Sequence, residues 1–191
     1  MKNLFIYSLL LFCVVSVKAQ EKTQEVTQLD AVTIIYQNDV LSDVDNNTFL
    51  VREEHAGEFS ANPIKFMQEN FDIQSYISLE QNKSNNLRHN DPYRVKFSTN
   101  NGYLEAVFSK DGELKGTAQN FKNILVPSDI RKELYSSYKG WEMVKNKYTA
   151  SGTSDKIDKE LYRIKLKNGN KSQIVKIVPD RMGSDIVTLD K

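Results

Sequence analysis

Residues 162–168 read YRIKLKN, and residues 93–99 read YRVKFST. Each heptad sets down an aromatic residue, a base, a branched apolar residue, a lysine, a large apolar residue and two polar residues. Side chains of a strand project to opposite faces in turn, so this alternation is that of a half-buried strand. Tyr93, Val95 and Phe97 share one face, as do Tyr162, Ile164 and Leu166, while Arg94, Lys96, Arg163, Lys165 and Lys167 share the other. Each heptad ends in residues that accept positive φ, Asn100-Asn101-Gly102 in one case and Gly169-Asn170 in the other. A second apolar strand follows each turn: YLEAVFS (103–109) and KSQIVKIV (171–178). Lys110-Asp111-Gly112 then turns the first hairpin into ELKGTA (113–118), and PDRMGSD (179–185) turns the second into IVTLD (186–190).

Upstream of each heptad stands a proline-led helix. Asn62 is a good N-cap, Pro63 fits the first helical position, and Ile64, Met67 and Phe71 recur at helical spacing. In VPSDIRKELYSSYKG (126–140), Pro127 opens the helix, Ile130, Leu134 and Tyr138 form its stripe, and Gly140 suits its stop. IQSYISLE (73–80) and WEMVKNKYTA (141–150) take the strand position after the helices, and QNKSNNLRHNDP (81–92) and SGTSDKIDK (151–159) read as polar loops. The prolines are 64 residues apart and the tyrosines 69, a difference that a surface loop absorbs cheaply. The fold expected is α+β: two tandem α-β-β-β-β repeats (58–120 and 121–191) forming an antiparallel sheet with helices on one face.

Residues 20–57 form an N-terminal extension in this reading. AVTIIYQ (31–37) is a β-branched strand candidate, NDVLSDVDNN (38–47) a loop, TFLV (48–51) a short strand, and REEHAGE (52–58) a charged, flexible stretch. MKNLFIYSLLLFCVVSVKA (1–19) has a basic start, an apolar run too short for a comfortable membrane span, and Val17 and Ala19 before a cut at Gln20. That is the form of a cleaved secretory signal, and the expected location is periplasmic or secreted. Phe12 before Cys13 speaks against a lipoprotein anchor.

Removing residues 1–19 takes Lys2 and Lys18 from the 26 bases and nothing from the 25 acids, leaving 24 against 25. No overall basic excess is left to draw nucleic acid or a membrane surface. Cys13, the single cysteine, goes too, and with it any disulfide, thiolate nucleophile or cysteine metal ligand. The chain contains no G-x-S-x-G, no H-E-x-x-H and no phosphate-cradling glycine loop. No cofactor and no catalytic residue are expected.

The residues FKNILVPSDIRKELYSSYKGW (121–141) followed by ELYRIKLKNGNKSQIVKI (160–177) resemble the PepSY-like proteins, whose fold is shared with the β-lactamase-inhibitor proteins. VKFSTNNGYLEAVFSKDGELKGT (95–117) is similar to that family's hairpin and Lys-Asp-Gly turn. The resemblance covers roughly residues 58–191 and implies an exported protein that binds or inhibits other proteins, peptidases among them. The β-lactamase inhibitors present a concave sheet face and an acid-bearing hairpin loop. No loop of this chain matches that element residue by residue.

The candidate binding residues are Arg94, Lys96, Arg163, Lys165 and Lys176, a basic strip on the open sheet face that Glu105 and Glu113 can interrupt, with Trp141 as a possible interface anchor. A solvated sheet face and a tryptophan packed over a helix end are the plainer readings. Asp43, Asp45, Asn47 and Glu54 match four calcium-loop positions, but Thr48 stands where the loop needs glycine, so a polar turn fits better. His55 and His89 lie in polar segments without ligand-pair spacing. The function expected is an exported, non-enzymatic module for an unidentified protein or peptide partner, with no nucleic acid and no membrane span. The alternatives are an envelope assembly protein using AVTIIYQ to extend a partner's sheet, and a hydrolase with a loop-built site.

Overall fold

Both heptads are strands with the hairpin partners the sequence implies. The computed structural model describes residues 36–37, 39–45, 47–83, 91–180 and 183–189. Its strands are β1 (Leu41–Asp45), β2 (Thr48–Val51), β3 (Tyr93–Thr99), β4 (Gly102–Phe108), β5 (Leu114–Lys122), β6 (Glu142–Thr153), β7 (Lys156–Asn168), β8 (Lys171–Asp180) and β9 (Gly183–Leu189). Among the described residues they form one nine-stranded sheet whose spatial order is the chain order. Every neighbouring pair is antiparallel except β2–β3. A parallel pair needs a long crossover. Residues 52–92 supply it, carrying a 3-10 turn (Glu53–His55), α1 (Ala56–Ala61), α2 (Pro63–Asn70) and α3 (Ile73–Lys83). The remaining helix, α4 (Ser128–Ser137), bridges β5 and β6. The architecture is α+β.

The expected caps are in place. The Asn62 side chain accepts the backbone N–H of Lys65 at 3.3 Å, and Pro63 is the first residue of α2. Gly140 has φ +79°, a conformation that favours glycine, just beyond α4.

Four segments depart from expectation. IQSYISLE is the body of α3, not a strand: Asp72 accepts the N–H groups of Gln74 and Ser75 at 3.0 and 3.3 Å, capping a helix whose Tyr76 and Ile77 are buried. Within NDVLSDVDNN, Leu41–Asp45 is β1 rather than loop. Its Asp and Ser residues suit an edge strand, where polar side chains discourage further pairing. REEHAGE carries the 3-10 turn and α1, held by the fully buried Phe59 against Phe66 and Phe121. SGTSDKIDK is no loop either; β6 and β7 run on as one hairpin arm to a tight turn at Ser154, φ +58°. None of residues 151–159 is buried, so the arm has a loop's composition without a loop's backbone. The segment after α4 therefore reads helix and four strands, whereas α2 is followed by a second helix and three. Residues 1–35, including the proposed signal and most of AVTIIYQ, lie outside the described residues, as does His89.

The core lies between the helices and one face of the sheet. Phe49 of β2 is fully buried, with ring centroids 5.0 to 6.2 Å from Tyr36, Phe71, Tyr76 and Phe97. The same core takes in Ile130 and Leu134 of α4 and the buried faces of β6–β8, Tyr148, Tyr162, Ile164, Leu166, Val175 and Ile177. Residues of alternate parity on these strands are left on the opposite face.

Candidate functional site: a row of cations on the open sheet face

Strand parity places every proposed basic residue on the uncovered face: Val95, Phe97, Ile164 and Leu166 are fully buried, and Arg94, Lys96, Arg163 and Lys165 between them are exposed. The register divides the five into two groups. Arg163 of β7 stands directly opposite Lys176 of β8, and Lys165 lies two residues along β7. Arg94 and Lys96 sit on β3, four strand steps from β7, or about 19 Å at the usual spacing.

Those two are also compensated locally. Arg94 donates to Glu105 across the β3–β4 pair at 3.3 Å. The Lys96 ammonium lies 4.7 Å from the Tyr103 ring centroid, a cation–π contact. Glu105 thus interrupts the strip, as its position suggested. Glu113 pairs instead with Lys115 beyond the strip.

The β7–β8 group is larger than the sequence indicated. Lys147 of β6 pairs in register with Arg163, and Lys122 of β5 pairs with Lys147. Lys122, Lys147, Arg163 and Lys176 therefore form one unbroken cross-strand row on four successive strands, about 14 Å from end to end. One pleat away, Lys145 faces Lys165, and beyond them Lys167 faces Glu142. Among the described residues, no carboxylate lies within ion-pair distance of any of these seven cations. Like charges directly opposite one another cost stability. The row is a local expense that the Arg94–Glu105 pair shows the same face can avoid.

On β8 the charge is bordered by aliphatic residues. Along β8, Ile174 (41% exposed) and Val178 (46%) flank Lys176 on the same side. At the other end of the row, a shallow hollow of about 270 Å³ lies between Lys96, Tyr103, Asn120 and Lys122.

Lys122 and Lys147 went unrecognised for different reasons. Lys122 lies beyond the end expected for its strand, which runs on to residue 122. Lys145 and Lys147 alternate visibly in WEMVKNKYTA, but a bulge at residues 143–145 sets which partners they meet, and spacing does not disclose that.

Trp141 is not part of this surface. It is half-buried against the core, its ring 6.4 Å from Tyr138 and nearly perpendicular to it, and its backbone N–H donates to the Tyr138 carbonyl. Asp43 and Asp45 lie on a paired strand, and His55 approaches Glu58 at 3.9 Å. No group of three potential metal ligands occurs among the described residues. No described helix is long and apolar enough to cross a membrane. Comparison with protein-family models, curated proteins and solved structures gives no match.

Proposed function

We propose that this chain is an exported, non-enzymatic binding module that recognises, and through recognition can inhibit, a protein or peptide partner, using the open sheet face and the hairpin loops that border it. The observation that carries the reading is the row Lys122–Lys147–Arg163–Lys176: four cations in direct register on an uncovered face, with no described carboxylate paired to them. A purely solvated face gains nothing from that arrangement and loses stability by it. Export rests on the signal-like residues 1–19. The PepSY-like resemblance supports both export and a protein partner. It also supports descent from a duplicated unit, of which the paired hairpins beginning at Tyr93 and Tyr162 are the matching parts.

The test is affinity capture from envelope and medium fractions with the protein expressed from its own N-terminus, beside a Lys147→Glu/Arg163→Glu/Lys165→Glu/Lys176→Glu variant. Mass spectrometry identifies what is held and whether the protein begins at Gln20. A partner held by the native protein and lost by the folded variant is the expected result. A partner held equally by both removes the sheet face from the account of binding.

A further inference from the structure

We infer that the partner segment recognised by this face is an acidic peptide strand whose carboxylates project from one side and are flanked on that side by aliphatic residues, seated on β5–β8. The inference rests on the sheet-face reading above and narrows it to a place and a chemistry.

The place follows from compensation. Arg94 has Glu105 and Lys96 has the Tyr103 ring, so the β3 end of the face has little charge left to offer. Among the described residues Lys122, Lys147, Arg163 and Lys176 have no such partner, and Lys145 and Lys165 add a second row beside them. An incoming anion meets a field that no described group on these strands has already neutralised.

The chemistry follows from what lies between the charges. Ile174 and Val178 flank Lys176 and are exposed, so a ligand crossing β8 is offered a cation between two aliphatic side chains. An extended peptide presents alternate side chains to one side about 6.8 Å apart, so two or three acids fit over a row about 14 Å long. The residues between those acids point away from the sheet, so the aliphatic residues that cover Ile174 and Val178 are ones that flank the acids on the same side. Single-stranded nucleic acid is served worse. It binds by stacking bases on aromatic side chains, and none of the exposed large apolar residues of β5–β8 is aromatic; they are Val144, Ile174 and Val178. A uniformly charged polysaccharide has nothing to bury against those aliphatics.

Binding is measured by fluorescence polarisation with the purified protein and a labelled peptide, Val-Ser-Glu-Ser-Glu-Ser-Glu-Ser-Val, whose acids and terminal valines share one side when extended. The same peptide with Gln for Glu, a deoxythymidine decamer and an oligogalacturonate of similar charge run beside it. The Glu peptide is expected to bind, to weaken as salt rises, and to be favoured over the other three ligands. Lys147→Gln/Arg163→Gln/Lys176→Gln removes three surface ion contacts and is expected to weaken it by about tenfold or more. Arg94→Gln/Lys96→Gln is expected to change it by less than about twofold, because those cations are already engaged. Equal losses from the two variants would overturn the placement on β5–β8, and tighter binding of the oligonucleotide or the uronate would overturn the peptide. If the Glu peptide fails to bind while a captured partner is still lost on charge reversal, the acidic-strand inference falls and the sheet-face reading stands. A captured partner indifferent to charge reversal removes both.

Discussion

Neutralising Arg163 should make the protein more stable while weakening its binding. Arg163 faces Lys147 on one side and Lys176 on the other, with no described carboxylate to offset either. Cross-strand neighbours stand about 5 Å apart at Cβ, and long side chains splay their heads to about 8 Å. In water, two like charges at 5–8 Å repel by roughly 0.5–0.8 kcal/mol, so Arg163 carries about 1–1.6 kcal/mol of repulsion when unscreened. A Debye length near 8 Å at physiological salt reduces this by about half, and near 1 M salt it is largely gone. Arg163→Gln keeps most of the aliphatic stem and removes the charge. The internal contrast is Arg94→Gln, which breaks the 3.3 Å contact with Glu105 and should cost about 0.2–1 kcal/mol. Urea unfolding of both variants at low and high salt separates the effects. Arg163→Gln should raise the midpoint most at low salt, Arg94→Gln should lower it, and the two should converge as salt rises. An Arg163→Gln variant that is destabilised by the same amount at every salt concentration would show that the row is not under electrostatic strain, and would remove the main reason for reading it as a site.

Three further outcomes test the fold beneath the face. Phe49→Ala removes a fully buried ring packed against four aromatic neighbours, and should cost about 3–5 kcal/mol in chemical denaturation; a loss under about 1 kcal/mol would show that β2 is not part of the core. Gly102→Ala would drive a Cβ into the Asn120 carbonyl and the Phe121 Cα, backbone atoms that no rotamer change can move, so a loss of about 1–3 kcal/mol or more is expected in the same assay. Burial first, and then the Glu80 and Asp43 carboxylates, push Tyr76 up to about 12; burial followed by Glu160 pushes Tyr148 and Tyr162 higher still. The fold therefore favours the neutral phenols. Their stabilisation is complete below the unfolded tyrosine value of about 10 and is lost as pH rises from there through the folded values, so tyrosinate absorbance of the native protein should show these three ionising above that value. A single wave near pH 10 in protein that circular dichroism still reports as folded would contradict it.

The sequence was most legible where a strand is covered on one face and wet on the other. YRVKFST and YRIKLKN read correctly because burial imposes period two, and their Gly- and Asn-bearing turns marked both hairpins. It misled where composition and burial part company. The arm at residues 151–159 has no fully buried residue and only Ile157 packed against the core, so burial imposes almost no apolar pattern and its polar composition resembles a loop. In α3, Ile73, Tyr76 and Ile77 satisfy a helical stripe, but their β-branched and aromatic character favours a strand, and the Asp72 cap decides for the helix. The site was half visible. Parity alone assigned Arg94, Lys96, Arg163 and Lys165 to the open face. That Lys122, Lys147, Arg163 and Lys176 stand in one row depends on inter-strand register and on the bulge at residues 143–145, which are properties of pairing between segments rather than of any one of them.

The most direct measurement is chemical-shift mapping on the ¹⁵N-labelled protein as the peptide Val-Ser-Glu-Ser-Glu-Ser-Glu-Ser-Val is added. The sheet-face reading predicts that the perturbed side-chain and backbone signals gather around Lys122, Lys147, Arg163 and Lys176, reach Ile174 and Val178, and fade toward Arg94. Perturbations centred on α2, α3 or α4, or scattered in proportion to surface lysine, would contradict it.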